Sequence, residues 1–208
     1  MAIILANVLF SFKGFNDLTF FRKYEFHIGS IRAGEQIRMF SSAFLHADIM
    51  HLAFNMYTLY IFSGIVTGYL GNYSFLLVYV VSLLSGSLLT LSFHKNDYNY
   101  SAIGASGAVT GILYSAVLLE PNMGLYLFFI PMAIPGYIFG IGYLMYSIYG
   151  MRAKNDNIGH TAHFGGAIGG YLVTLLLKPS LLVDNTLMVF LLLIPIIILF
   201  IMEKLGKI

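Results

Sequence analysis

The chain has 208 residues, of which 59% are hydrophobic and only 10% are charged, and its formal net charge is +2. A soluble domain of this size could not bury so much apolar surface, so the composition predicts an all-α, polytopic transmembrane helical bundle. The small, scattered positive charge gives no support to nucleic-acid binding. The absence of cysteine excludes disulfides, a thiol nucleophile and cysteine-ligated metals.

Seven apolar segments are predicted to form membrane-spanning helices, because a helix needs about 20 residues to cross a bilayer. In chain order they are residues 1–12, His51–Leu70, Ser74–Phe93, Gly104–Leu119, Pro135–Tyr149, His160–Leu177 and Thr186–Met202. The first, fourth and fifth are shorter than a full span. The pattern predicts a six-helix core over residues 1–178 and an additional C-terminal transmembrane helix within residues 179–208.

The connectors between the predicted spans differ in character. The first, residues 13–41, is long and rich in aromatic and basic side chains, which favours a folded structure in the membrane interface. Residues 71–73 are predicted to form a tight turn, and residues 119–135 are apolar, broken by prolines and predicted to run along the membrane surface. All lysines and arginines except Lys178 lie in the first, third and fifth connectors and at the C-terminus, which the positive-inside rule would place in the cytoplasm.

Polar residues at membrane depth are costly and are therefore candidates for function. His51 and Asn55 are four residues apart and share one face of the second span. Ser106 begins the fourth span, and His160 and His163 begin the sixth. Taken singly, each of these groups could serve packing or interhelical hydrogen bonding, and the histidines together could instead bind a metal ion.

Small residues recur at a spacing of four on the fourth and sixth spans, which allows two helices to approach closely. The two sets are Gly107, Gly111 and Ser115, and Ala162, Gly166, Gly170 and Thr174. Packing them together would bring the Ser106 hydroxyl within hydrogen-bond reach of His163, as an activated serine requires. His51, Asn55 and the Ser106 backbone N–H could then stabilise an oxyanion.

No carboxylate lies inside a predicted span, so the residues indicate a Ser–His dyad rather than a triad. Asp48 and Asp156 lie nearby, but at helix ends or in loops. The serine does not lie in a Gly-x-Ser-x-Gly elbow, since Ala108 occupies the last position, and the chain has no His-Glu-x-x-His zinc motif. A transporter would be expected to show an inverted repeat or charged residues inside the membrane, and the sequence has neither.

Three motifs together resemble the rhomboid family of intramembrane serine proteases. They are GEQIRMFSSAFLHADIMHLAFNM, with Arg38, His46, His51 and Asn55; GASG, with Ser106; and AHFGGAIGG, with Ala162, His163, Gly166 and Gly170. Each motif alone is weak, but their order, and their places on the second, fourth and sixth spans, are specific. The resemblance extends from the first connector through the sixth span.

The resemblance implies that Ser106 is the nucleophile, that His163 is the general base and that His51 and Asn55 help to form the oxyanion hole, with His160 only a neighbour. It implies an endopeptidase that works through an acyl-enzyme and needs neither metal nor cofactor. Its partners would be transmembrane protein substrates and the lipid bilayer, and it would be a multi-pass membrane protein, expected in the bacterial cell (inner) membrane. The alternative is a catalytically inactive relative that binds membrane-protein clients; the oligomeric state stays open.

Two positions depart from the family pattern. Ile37 precedes the connector arginine where an aromatic residue is frequent, and Thr110 stands where the family often has an aromatic side chain against the base. The second departure is expected to loosen the orientation of the histidine. The resemblance also implies a cavity open to the extracytoplasmic side, against the positive-inside rule; we follow the resemblance, because that rule works best for short, flexible tethers.

Overall fold

A computed structural model describes residues 1–126, 132–153 and 158–208, and they form an all-α bundle. The helices are α1 (Ala2–Asn16), α2 (Leu18–Tyr24), α3 (Ile28–Arg32), α4 (Arg38–Ser41), α5 (Ile49–Leu70), α6 (Asn72–Phe93), α7 (Ser106–Leu119), α8 (Gly136–Ala153), α9 (His160–Leu177), α10 (Leu181–Asp184) and α11 (Thr186–Lys204). A 3₁₀ turn covers Ser42–Phe44. Two-residue antiparallel strands pair β1 (Phe26–His27) with β2 (Ser101–Ala102) and β3 (Gly124–Leu125) with β4 (Ile134–Pro135).

Each predicted span corresponds to a helix, and the differences lie at the ends. Helix α5 begins two residues earlier than predicted because the Asp48 carboxylate caps it, accepting the His51 backbone N–H at 2.8 Å. Helix α7 begins at Ser106 rather than at Gly104, because Gly104 has a φ of +114° and cannot be part of a right-handed helix. Among the described residues, α5, α6 and α11 are long and apolar enough to cross a membrane, and α1 and α7 are shorter apolar helices.

Helix α9 packs against α7 through the small residues that the sequence singled out. A Cβ atom at Gly166 would overlap the Gly107 carbonyl oxygen, and one at Gly170 would overlap the carbonyl oxygen of Gly111. One turn further on, the Thr174 hydroxyl donates to Ser115 Oγ at 2.7 Å. The predicted contact between the two ridges is therefore confirmed, and it leaves no room for a side chain between the backbones.

A second close contact, between α9 and α6, was not predicted. A Cβ atom at Gly86 would lie 2.8 Å from the Ala162 carbonyl oxygen, and one at Gly169 would lie 2.8 Å from Ser85 Oγ. A Cβ atom at Gly165 would overlap the Ser85 carbonyl oxygen. Glycines on both faces of α9 thus allow its backbone to approach the backbones of α6 and α7 closely.

The first connector folds as a unit, as predicted. Buried Arg38 contacts Glu35 at 2.6 Å through Nε, and its Nη1 donates to the carbonyl oxygens of Arg22 at 2.7 Å and Glu25 at 3.1 Å. A small separate apolar cluster accompanies this network and consists of Phe26, Ile28 and Ile31. Pairing of β1 with β2 ties the folded connector to the third connector, directly before the start of α7.

The C-terminal helix α11 packs against α8 and belongs to the main apolar core. Its buried residues are Val189, Leu192, Pro195, Ile196 and Leu199. The Tyr171 hydroxyl on α9 donates to the Val189 carbonyl oxygen at 2.9 Å, at the beginning of this helix. The middle of the fourth connector, residues 127–131, lies outside the described residues, so its predicted path along the membrane surface stays a prediction.

Candidate active site

One cavity of about 430 Å³ lies among α5, α7, α8 and α9. His51, Asn55, Ser106 and His163 all line it, so the structure brings the four predicted site residues together from three different helices. The rest of its wall includes Phe54, Thr58, Val109, Thr110, Leu113, Phe139 and Tyr143. Each of the three site helices contributes the residues at or near its N-terminus, so the site lies at one end of the bundle.

The turn before Ser106 is shaped by Gly104, a position at which any other residue would be strained. Gly104 has a φ of +114°, and a Cβ atom there would lie 2.9 Å from His51 Nε2. The Gly104 N–H donates to the Ser42 carbonyl oxygen at 3.0 Å, which joins the turn to the folded first connector. Ser106 follows as the first residue of α7 and is partly exposed to the cavity.

The His46 side chain stabilises the turn before Ser106 by accepting a backbone hydrogen bond. Its Nε2 accepts the Ala105 N–H at 3.4 Å, so its proton is on Nδ1, which contacts Ser11 Oγ at 2.9 Å. The Ser11 hydroxyl donates in turn to the Phe44 carbonyl oxygen at 3.0 Å. Burial lowers the pKa of the His46 imidazole to about 3, and the neighbouring His51 adds to the effect. Neutral His46 therefore couples α1 to the backbone beside Ser106.

The His51 and Asn55 side chains are both placed as N–H donors. His51 Nδ1 accepts the Ala47 backbone N–H at 3.4 Å, which assigns a proton to Nε2, the atom beside the Gly104 turn. Asn55 Nδ2 donates to the His51 carbonyl oxygen at 3.0 Å, and the second hydrogen of that amide is left for another acceptor. Both residues can therefore stabilise a developing negative charge in the cavity.

An aromatic side chain does lie against His163, but it comes from a different helix than the resemblance implied. The Tyr143 ring of α8 stacks on the imidazole with centroids 5.5 Å apart, and its hydroxyl lies 3.0 Å from His163 Nδ1. Thr110 therefore does not leave the histidine without an aromatic neighbour, which corrects the expectation of a loosened base. Sequence reasoning missed Tyr143, and the only available signal was the absence of an aromatic residue at position 110.

The other candidates lie outside the cavity wall or play structural parts. His160 is buried, with its ring 5.9 Å from that of His163, and a Cβ atom at Gly150 would overlap it. Asp48 caps α5, and Asp156 lies outside the described residues. Within residues 1–126, 132–153 and 158–208, no group of three or more His, Asp or Glu side chains is arranged to hold a metal ion.

Comparison with known proteins indicates the same family as the three sequence motifs. A rhomboid domain model matches residues 33–180. The mitochondrial RHOMBOID-like protein 12 of Arabidopsis thaliana is 29% identical over 185 residues, covering 80% of this chain and 54% of its own length. The Bacillus subtilis protein named "Putative rhomboid protease YdcA" is 31% identical over 150 residues, covering 69% of this chain and 68% of its own.

A human relative, the mitochondrial presenilin-associated rhomboid-like protein, is 30% identical over 138 residues, which are 64% of this chain and 35% of that protein. This chain thus spans about half or less of the mitochondrial relatives that it matches. The match to the family model covers most of the chain, and the residues of all three motifs meet at the cavity. The chain is a multi-pass membrane protein and belongs to the rhomboid family.

Proposed function

We propose that the protein is an intramembrane serine endopeptidase that cleaves transmembrane segments of other membrane proteins. The observation that carries the proposal is the shared cavity, in which a serine hydroxyl, an imidazole and two N–H donors meet from three helices. Membership of the rhomboid family supports the same assignment. We assign the nucleophile to Ser106, the general base to His163 and the oxyanion donors to His51 and Asn55.

The proposed chemistry uses only these groups and water. Ser106 Oγ attacks the scissile carbonyl carbon while its proton moves to His163 Nε2, and the negative carbonyl oxygen accepts hydrogen bonds from His51, Asn55 and the Ser106 backbone N–H. The C–N bond then breaks as His163 returns the proton to the leaving nitrogen, which leaves an acyl-enzyme. Water, deprotonated by His163, attacks the ester carbonyl carbon, and the ester C–O bond breaks as His163 returns that proton to Ser106 Oγ, which leaves a new carboxyl group on the substrate.

The walls of the cavity favour a transmembrane segment as the substrate. Phe54 and Thr58 of α5 face the cavity on one side, and Phe139 and Tyr143 of α8 face it on another. Phe54 is 52% exposed on the surface of the bundle, so an apolar path leads from the outer face of α5 to the site. We therefore place substrate entry between α5 and α8.

The test is active-site labelling followed by cleavage of a generic transmembrane substrate. A fluorophosphonate should label the detergent-solubilised wild-type protein at Ser106 and should not label Ser106→Ala. Both Ser106→Ala and His163→Ala should abolish cleavage, and the double variant should be no worse than either single, since the two residues act as one unit. Absent labelling and cleavage, with the substrate still captured, would overturn the proposal in favour of the inactive client-binding relative.

The domain division and the location are part of the proposal. We assign the protease core to residues 1–178 and an additional transmembrane helix to residues 179–208, and we place the protein in the bacterial cell (inner) membrane with its cavity on the extracytoplasmic side. The match to the Bacillus subtilis relative, which covers most of both chains, supports this location. The named mitochondrial relatives make a mitochondrial membrane the other outcome of fractionation.

Sidedness can be tested cleanly because the chain has no cysteine. Thr19→Cys lies on the exposed surface of the first connector, and Tyr73→Cys lies at a 94% exposed position in the first turn of α6, beside its junction with α5. A membrane-impermeant maleimide added to intact cells should label the first variant and should label the second only after permeabilisation. The reverse pattern would support the positive-inside rule.

A further inference from the structure

We infer that Tyr143 is the positioning residue of this site and that it sets the tautomer of His163 from a helix that carries neither member of the dyad. The inference rests on the proposed function. It begins from two contacts of one side chain: the Tyr143 ring stacks on the His163 imidazole, and its hydroxyl lies 3.0 Å from His163 Nδ1. No carboxylate occupies that place among the described cavity residues.

The direction of these hydrogen bonds is argued from the Ser106 carbonyl oxygen, which can only accept. The Thr110 hydroxyl donates to this oxygen at 2.7 Å. Because the single hydrogen of Thr110 Oγ1 is engaged there, that oxygen can only accept from the Tyr143 hydroxyl 3.4 Å away. We assign the Tyr143 hydrogen to the contact with Thr110, so that the Tyr143 oxygen accepts from His163 and the His163 proton lies on Nδ1.

This tautomer is the one that a general base at this site requires. A proton on Nδ1 leaves the lone pair of Nε2 to accept the proton of Ser106, and the stacked ring restricts rotation of the imidazole. Tyr143 therefore does with a neutral hydroxyl what a buried aspartate does in a triad, where the third residue fixes tautomer and orientation. Thr110, the departure from the family pattern, supplies the acceptor that gives the Tyr143 hydroxyl its direction.

The same contact makes the base depend on the position of α8. The Tyr114 hydroxyl of α7 donates to the Gly140 carbonyl oxygen of α8 at 3.0 Å, three residues before Tyr143. A Cβ atom at Gly140 would lie 3.6 Å from Leu192 of α11 and 3.7 Å from Tyr114 of α7, so α8 packs against both helices at this point. The segment of α8 that carries Tyr143 is thus held by α7 and α11, and a displacement of α8 would withdraw the Tyr143 hydroxyl from His163.

Three variants separate the hydroxyl from the ring and from the general packing. Tyr143→Phe keeps the stacked ring but removes the acceptor. Thr110→Val removes the acceptor of the Tyr143 hydroxyl but leaves the Tyr143 ring and hydroxyl beside His163 in place. Thr110→Ser keeps a hydroxyl acceptor at position 110. The matched control is Tyr149→Phe, which removes the same hydroxyl from the same helix at a position that is 60% exposed.

The measurements are cleavage kinetics and ¹⁵N-histidine NMR in detergent. Tyr143→Phe and Thr110→Val should each lower kcat by about tenfold to a hundredfold with little change in KM, while Thr110→Ser and Tyr149→Phe stay within about twofold of wild type. The His163 nitrogen shifts should indicate an Nδ1-protonated ring in the wild type and a loss of that preference in Tyr143→Phe and Thr110→Val. A thermal unfolding curve for each variant shows whether it is folded.

Failure of this inference is distinguishable from failure of the proposed function. Wild-type kcat together with unchanged His163 shifts in folded Tyr143→Phe would overturn the role of Tyr143 while leaving the protease assignment in place. An Nε2-protonated His163 in the wild type would overturn the hydrogen-bond direction. If the wild type neither cleaves nor labels at Ser106, the protease assignment fails, and the NMR comparison still decides whether Tyr143 sets the tautomer.

Discussion

Substitution of Gly166 by alanine is the sharpest test of how the fold sets the distance between Ser106 and His163. Gly166 lies one turn along α9 from His163, and Gly107 directly follows Ser106 on α7. A Cβ atom at position 166 would overlap the Gly107 carbonyl oxygen, which belongs to the backbone and cannot rotate away as a side chain could. The added methyl group must therefore move one helix relative to the other.

The expected magnitude follows from the size of that overlap. Restoring ordinary van der Waals contact requires a separation on the order of 1 Å between α7 and α9, and overpacking of this kind costs about 1–3 kcal/mol. A displacement of about 1 Å between reacting groups can lower the rate about a hundredfold. Gly166→Ala should therefore lose both thermal stability and most of its turnover, although the substituted position contacts no substrate.

The assay compares Gly166→Ala with Gly142→Ala in detergent, using thermal unfolding and the cleavage rate of a transmembrane substrate. Gly142 also lies inside a helix, but a Cβ atom there would meet no atom within 4 Å. Because alanine favours a helix over glycine by about 1 kcal/mol, the control should be at least as stable as the wild type and equally active. The two variants thus differ in the helix contact and not in the type of substitution.

Two results would refute the reasoning about Gly166. Unchanged stability and turnover would show that α7 and α9 are not in backbone contact at this point. A clear loss of stability with full turnover per folded molecule would show that the contact exists but does not set the spacing of the dyad. A folded Gly166→Ala protein that still labels slowly at Ser106 but turns over poorly would support the geometric argument.

Three further predictions address the oxyanion donors, His46 and substrate entry. Asn55→Ala should lower kcat by about 10²–10³ with thermal unfolding nearly unchanged, and unaltered turnover would remove the amide from the mechanism. Because His46 has a pKa of about 3 when folded and about 6.5 when unfolded, the unfolded chain binds the extra proton between these values. The free energy of unfolding should fall by about 2–3 kcal/mol from about pH 6.5 to about pH 4.5, and most of that loss should be missing in His46→Gln. A wild-type slope in His46→Gln would assign the acid sensitivity to another group. A bismaleimide joining cysteines at Phe54 and Phe139 should block cleavage of membrane substrates, and full activity after complete cross-linking would rule out entry between α5 and α8.

The amino-acid sequence by itself determined the class of protein, the helices and the candidate site residues. Hydropathy acts residue by residue, so runs of apolar side chains located each span to within a few positions at its ends. Polar residues at membrane depth are rare because they are costly, and this made Ser106, His163, His51 and Asn55 conspicuous within the apolar runs. Small residues every four positions predicted which faces of the fourth and sixth spans would meet, since only they permit contact between backbones in lipid.

Tertiary structure alone decided which side chains support those residues. Tyr143 reaches a histidine 20 residues away in the chain, and His46 accepts a backbone N–H 59 residues away. No local pattern marks Tyr143, and the motif that contains His46 does not show which backbone group His46 contacts, because each contact depends on how separate helices are placed against one another. The second glycine face of α9, which meets α6, was unassigned for the same reason: a small residue shows that a close approach is possible, and only the packed bundle shows which neighbour makes it.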